Sequence, residues 1–380
     1  MSTCFALENK GKTEARERPD ADRAWLLDHS RTESKPQAIL FHASNRSFQT
    51  PGGGENQLIR TGHALEVRDM SIRLFSAWVD RLSDFRLLHL FGMSREGLEL
   101  AREAKSQGVP IALSSICWFE PRAMYSLASN FVSGMIDVGK WKMKAALPWL
   151  PSWRGDLLDL ADVILPNSQS EADQLTRLFG VSERKIQVVP NGVDGRFADA
   201  DPGLFQSTHG DMPFVLYVGR IEPRKNVLRL IEAAKKARLP IFVIGRIPSG
   251  CETYAERCWS SAGPGSRFLN AVTHEDPMLA SAYAAARVFA LPSWFETPGL
   301  AALEAATAGT AIVLTPYGCT REYFEDGAIY ARPNRVGEIA NALKQAWDEG
   351  PRPGLAERLR TRYPWEEVAR KTAEAYDHIS

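Results

Sequence analysis

From residue 36 onward, short apolar runs alternate with stretches in which apolar residues recur every three or four positions. The runs at 38–41, 71–75, 87–91, 110–113, 163–165 and 186–189 predict buried strands, with helical patterns between most of them. A polar, glycine-containing stretch at 199–211 interrupts the pattern, and strands are then predicted at 214–218, 241–244, 267–269, 288–291 and 312–314. Alternation of this kind builds parallel sheets covered by helices on both faces. Two series predict two doubly wound α/β domains, over 36–198 and 199–362, preceded by a poorly ordered or weakly helical extension over 1–35. Sheets facing one another place a cleft at the carboxyl ends of their strands, where open α/β folds bind ligands.

Composition narrows the field. Lys and Arg number 46 and Asp and Glu 46 in 380 residues, so the chain lacks the basic surplus of a dedicated nucleic-acid binder. Its longest charge-free run, 305–320, is interrupted by Gly, Thr and Pro and is shorter than the roughly 20 apolar residues of a membrane span. Residues 1–35 mix basic and acidic side chains around no apolar core, unlike a secretory signal. Five cysteines without a Cys-x-x-Cys pair suit a reducing cytosol. The spacing of Cys251, Cys258 and His274 matches no common zinc site, so no metal is expected.

The candidate chemistry sits at predicted strand ends. The strand at 214–218 runs into Gly219 and Arg220, and Lys225 and Asn226 follow within one short loop. Asn226 is placed to cap the next helix, whose Val227, Leu230, Ile231 and Ala234 form an apolar face. Two cations held this way suit a diphosphate, with Arg as a fork and Lys as a point charge; the bland alternative is a solvated basic loop. Glu304 is a second feature, standing alone among Leu300, Leu303, Ala305 and Ala306. A carboxylate buried there must find a partner, water or a ligand, or cost several kcal/mol. Glu296 precedes the helix that Pro298 and Gly299 open, and the first amides of that helix are free for an anion. Carboxylate, positive helix end and carboxylate suit a ligand with hydroxyls at both ends and phosphate between; the alternative is a structural Glu304 bonded to backbone. In the first domain, Gly52, Gly53 and Gly54 let backbone approach a ligand closely ahead of a helix. There is no Gly-x-Gly-x-x-Gly and no Walker loop, which disfavours a simple dehydrogenase or ATPase.

Together, the Gly52–Gly54 loop, Ala161-Asp-Val-Ile-Leu-Pro-Asn-Ser168, Val188-Val-Pro-Asn-Gly-Val-Asp194, Tyr217-Val-Gly-Arg220 with Lys225 and Asn226, the Glu296 and Glu304 pair and Arg362-Tyr-Pro-Trp365 resemble the retaining glycosyltransferases of family 4 (glycosyltransferase group 1). The resemblance spans about 330 residues. It implies a GT-B fold of two Rossmann-like domains facing a central cleft, with an acceptor domain first, a nucleotide-sugar domain second, and a C-terminal helix over 363–380 packing back toward the first domain. It also implies transfer of a sugar from a nucleoside-diphosphate sugar, UDP or GDP, to an acceptor hydroxyl with retention and without a metal. Arg220 and Lys225 would hold the diphosphate, Glu296 the sugar hydroxyls and Glu304 the ribose. Amides of Gly299 and Leu300 would assist, and Gly53 and Gly54 would close from the other domain. Backbone near 245–247 and 270–273 would meet the base. The family setting is cytoplasmic assembly of cell-envelope polysaccharide or glycolipid.

One departure stands out. Many members carry a His after the fourth strand of the first domain, and 110–120 here has none. Cys117, Trp118 and Glu120 occupy the vicinity, and His42 and His89 are alternatives that would equally serve core or surface roles. The stretch from Lys140 to Arg154 mixes basic residues with tryptophan; it suits peripheral contact with the inner face of the cell membrane or packing near the acceptor. Rival functions are a non-catalytic nucleotide-sugar or glycan-binding scaffold and a sugar-nucleotide epimerase.

Overall fold

The first run of apolar segments becomes β1 (Ile39–Ala43), β2 (Ile72–Leu74), β3 (Leu87–Phe91), β4 (Ile111–Ser114) and β5 (Val163–Ile164) in a computed structural model that describes residues 21–31, 38–45, 47–49, 52–128 and 130–379. The second becomes β6 (Val215–Val218), β7 (Ile241–Ile244), β8 (Ser266–Leu269), β9 (Val288–Leu291), β10 (Ala311–Leu314) and β11 (Ile329–Tyr330). All pairings are parallel, in the orders β2-β1-β3-β4-β5 and β11-β10-β9-β6-β7-β8. These are two doubly wound arrangements, each with a switch point where the order reverses: β1 beside β3 in the first sheet and β6 beside β9 in the second. Crevices open there because neighbouring connections leave in opposite directions.

Two strand assignments need correction. The run at 186–189 makes only one parallel bridge, Ile186 with Ile164: its Gln187 and Val189 amides reach the carbonyls of Ile164 (3.0 Å) and Pro166 (2.9 Å), but Pro166 has no N–H to return the ladder. β11 escaped the sequence because two residues carry no readable period. Asn226 also differs from expectation. It takes a left-handed conformation with φ of 60°, and its amide donates to the carbonyls of Pro292 (2.9 Å) and Pro333 (2.8 Å) instead of its side chain capping the next helix. The apolar face of that helix, Val227–Ala237, is buried and packs against the helix Val336–Glu349.

Helices near both ends of the chain pack into the core of the first lobe. Within the extension expected over 1–35, Ala21–Arg31 is a helix; residues 1–20 and 32–37 lie outside the described residues. Trp25 is buried against Gly62, where any added Cβ would lie 2.5 Å from the indole, and its Nε1 donates to Glu66 at 2.7 Å. The closing helix Trp365–Asp377 buries Val368, Ala369 and Tyr376 in the same core, and Tyr376 pairs with His89 at 2.6 Å. Gly192 marks where the crossing happens: a Cβ there would meet the Trp365 ring at 2.4 Å, so only glycine lets the two segments touch. The lobes also meet at the helix Gln169–Phe179, whose first amides, Gln169 and Ser170, donate to the Glu322 carboxylate at 2.8 and 2.7 Å. Asn167 beside them donates to the carbonyl of Thr297 at 3.3 Å.

Candidate active site

Both switch points open onto one cleft of about 1540 Å³ between the lobes. Gly53, Gly54, Arg220, Lys225, Glu296, Gly299, Leu300 and Glu304, the residues expected from sequence, all line it. So do Gly245 and Arg246 after β7 and Ala271 to Thr273 after β8.

The Gly219–Asn226 turn is held rigidly. Tyr217 donates its hydroxyl to the carbonyl of Arg220 at 2.7 Å. Glu222 lies between Arg220 (3.4 Å) and Arg224 (3.2 Å), and Arg224 also donates to the carbonyl of Phe295 at 3.3 Å. Arg220 keeps much of its guanidinium open to the cleft, and Gly52 faces it from the other lobe, where a Cβ would stand 3.6 Å from Cζ. Gly53 opposes Leu300 in the same way, at 4.0 Å. The glycine run thus stands against Arg220 and Leu300 with room for a Cβ at ordinary contact distance; Thr50 and Pro51 before it lie outside the described residues.

Lys225 and Glu296 form a two-pronged ion pair, with Nζ 2.7 and 3.0 Å from the two carboxylate oxygens. Burial lowers the Lys225 pKa more than the carboxylate raises it. For Glu296 burial pushes the other way, but the charges of Lys225 and Arg224 outweigh it and hold the carboxyl ionised. The pair places a cation and a carboxylate acceptor side by side beyond the end of β9. Gly299, with φ of 95°, then starts the helix Leu300–Thr307; the Ala302 and Leu303 amides already donate to its carbonyl at 2.9 and 3.2 Å, which leaves those of Leu300 and Ala301 at the helix start.

Glu304 is buried on that helix and finds side-chain partners, not backbone: it accepts from Tyr283 Oη at 2.8 Å and from His274 Nε2 at 3.0 Å. His274 belongs to a network that sequence reasoning missed. Arg196 reaches it at 3.0 Å, and Arg60, on the first lobe's helix Gly53–Glu66, reaches it at 2.9 Å while also pairing with Glu275 and with Asp22 at 3.2 Å. Arg60 thus ties the lobes together beside Glu304. Burial and the Arg60 charge both oppose a charged imidazole, yet Glu304 and Glu275 outweigh them and lift the His274 pKa from 6.5 to about 9. A folded-state pKa above the unfolded one adds stability that is complete below about 6.5 and lost as pH rises through about 9. The stability difference between the wild type and His274→Gln, measured by urea unfolding, should therefore shrink between those two values. A difference that grows with pH would contradict the charged imidazole.

The family histidine has no counterpart after β4. Cys117 is buried, its thiol pushed far up by burial, and Glu120 caps the helix Pro121–Ser126 by accepting from the Arg122 amide at 3.4 Å. Ile116 is the residue that reaches the cleft there, with φ of 43°, a strained value for a β-branched residue. His89 is core, held neutral between Tyr376 and Ser114 with its pKa lowered to about 3 by burial. His42 lines the cleft at the end of β1, and its buried Nε2 has no hydrogen-bond partner among the described residues. Trp78 was also missed. It lines the cleft on a loop anchored by the buried Arg73–Asp80 pair (2.9 Å), yet its own ring is 97% exposed. Among the described residues no three His, Cys, Asp or Glu side chains are grouped to hold a metal ion.

Comparison with known proteins agrees with this architecture. Residues 204–362 match the model of the glycosyl transferases group 1 and residues 71–196 that of glycosyltransferase family 4, together three quarters of the chain. The chain is 34% identical over 219 residues to a D-inositol 3-phosphate glycosyltransferase of Actinosynnema mirum, covering 52% of this chain and 51% of that protein. It is 30% identical over 239 residues to O-antigen chain mannosyltransferase B of Escherichia coli, covering 58% and 61%. The matched region is thus about half the length of such curated relatives. Its backbone resembles sucrose-phosphate synthase of Thermosynechococcus elongatus (TM-score 0.70, 20% identity, 90% of this chain and 98% of that one). It also resembles Anabaena HepE in complex with UDP and glucose (TM-score 0.68, 15% identity, 90% and 100%). The chain belongs to the group 1, family 4 glycosyltransferases, and its paired parallel-sheet lobes are the GT-B fold.

Proposed function

We propose that this chain transfers a sugar from a nucleoside-diphosphate sugar to an acceptor hydroxyl with retention of anomeric configuration. One observation carries the proposal: two cations, a helix amino terminus and two carboxylates from the second lobe meet the glycine run of the first across a single cleft. Negative charge grows on the departing diphosphate in the transition state. Arg220, Lys225 and the amides of Gly299 and Leu300 are fixed where they would meet that charge, and such preorganised groups lower the barrier without reorganising. In this scheme the protein cations take this role without a metal ion. Glu296 would accept from hydroxyls of the transferred sugar and Glu304 from the ribose. Once the donor is bound, the acceptor hydroxyl would approach from the first lobe on the face the diphosphate leaves, which gives retention.

His42 takes the place of the missing histidine in this scheme, because it alone among the sequence candidates presents an unpartnered nitrogen at the cleft. Trp78 offers an acceptor sugar a flat apolar face at the cleft mouth. UDP or GDP is the proposed donor nucleotide; HepE, a structural neighbour, was solved with UDP and glucose. The named relatives act on an inositol phosphate and in O-antigen chains, which supports a place in glycolipid or envelope polysaccharide assembly at the cytoplasmic face of the membrane.

The test is product analysis. Purified chain, a panel of nucleotide sugars and saccharide acceptors should yield a glycoside whose anomeric proton signal matches the donor's configuration. Trp78→Ala should raise the acceptor KM roughly 2- to 10-fold with little change in donor hydrolysis, the cost of about 0.5–1.5 kcal/mol of lost ring contact. Donor binding without transfer or hydrolysis would favour a scaffold, and donor interconversion without acceptor an epimerase.

A further inference from the structure

The helix Phe131–Ala146 has an apolar face that the described residues leave largely exposed. Phe131 is 64% exposed, Val132 63%, Met135 56%, Ile136 51% and Met143 53%. At 100° per residue these five side chains fall within an arc of about 140°. Lys142 lies within that arc and Lys140 about 40° beyond its edge, both exposed, with Asp137 on the opposite side pairing with Lys140 at 3.6 Å. The other face is turned inward: Gly134 packs on Tyr125, where a Cβ would lie 3.1 Å from the carbonyl, and Trp141 lies under Arg177 at 5.7 Å.

The structure also divides the stretch from Lys140 to Arg154 that sequence alone singled out. Lys144 is turned back onto the carbonyls of Pro148 (2.6 Å) and Leu150, and Arg154 stacks on Trp153 at 4.3 Å. Only Lys140, Lys142 and Trp149, itself 75% exposed, are left to face outward. An apolar helix face with lysines set into and beside it is the arrangement that lies in a lipid headgroup layer, the rings and chains inserted and the ammonium groups reaching lipid phosphates. Among the outward-facing charges of this helix Lys140 and Lys142 outnumber Asp137, which matches an anionic surface rather than a neutral one.

We propose that the Phe131–Met143 face docks the chain onto an anionic lipid bilayer. The face is connected to the cleft through the helix before it. Arg122, on the preceding helix, stacks on Tyr317 of the second lobe at 4.6 Å, and the Tyr317 carbonyl accepts from the amide of Glu296 at 3.2 Å. Docking would hold the cleft mouth near the lipid surface; the docking itself does not rest on the sugar-transfer scheme.

Flotation of the full chain with vesicles tests this, using phosphatidylcholine alone and phosphatidylcholine mixed with phosphatidylglycerol. The wild type should bind the mixed vesicles roughly tenfold or more above the neutral ones, and less at high salt. Phe131→Ser with Ile136→Ser should lower binding to the mixed vesicles by about tenfold or more. Lys140→Glu with Lys142→Glu should abolish the preference for phosphatidylglycerol. All four positions are exposed, so thermal unfolding by circular dichroism should stay unchanged. The proposal is overturned if the wild type binds neither vesicle or if both variants bind like the wild type. It is equally overturned if sedimentation shows a dimer that the apolar variant dissociates, which would make the face a self-association surface.

Discussion

Arg220→Ala is expected to lower kcat by roughly 10²–10³-fold while leaving the melting temperature nearly unchanged. The stability half of this expectation follows from its surroundings: the guanidinium is open to the cleft and its one acidic neighbour, Glu222, is at 3.4 Å and also paired with Arg224. The activity half follows from timing. Charge on the leaving diphosphate peaks in the transition state, so a cation aimed at it acts on kcat more than on donor affinity. Arg220→Lys should recover part of the loss, since it restores charge without the planar fork. Lys225→Ala should be as damaging to turnover but would also unfold more easily, by about 3–5 kcal/mol, because it strands the buried Glu296 carboxylate. Steady-state kinetics with parallel thermal melts separate these cases. Wild-type kcat in Arg220→Ala would remove the diphosphate from this end of the cleft.

Glu304→Gln should show the opposite split, with donor KM rising roughly 10- to 100-fold and kcat falling less. A hydrogen bond to a charged group is worth about 1.5–3 kcal/mol, and a contact to the ribose is made equally in ground and transition states. Glutamine can still accept from Tyr283, so the fold should survive, whereas alanine would leave both Tyr283 and His274 without their acceptor. A variant with unchanged donor KM would make Glu304 a structural partner of His274 and nothing more.

What the sequence revealed depended on whether the signal was local. Strands buried on both faces are short unbroken apolar runs, so β1, β3, β6, β9 and β10 could be located within a residue or two. Glu304 was conspicuous because a charge inside Leu300–Thr307 has no place to hide, and Arg220 because it follows directly on a buried strand. The partners of these groups were invisible for the complementary reason. His274 meets Arg60 across 214 residues, a contact decided by how the lobes close and not by any pattern near either residue. Ile116 reaches the cleft through a positive φ that composition does not announce, and Trp78 is one exposed ring on an irregular loop. Lys144 reads as one more basic residue in its stretch, yet folds back onto Pro148. Asn226 fits the residue preference of a helix cap, but two buried proline carbonyls claimed its amide. Preference at one position lost to the need to satisfy polar groups brought together by the fold.

The measurement closest to the central claim is a thermal-shift titration of wild-type and Arg220→Ala chains with UDP, GDP, ADP and dTDP. A ligand that binds only the folded state stabilises it by RT ln(1 + [L]/Kd), so saturation at about 100 Kd adds about 2.7 kcal/mol. One diphosphate should raise the wild-type midpoint by several degrees and shift the variant far less. If none of the four moves the wild type, or if wild type and variant respond alike, the cleft does not grip a nucleoside diphosphate through Arg220.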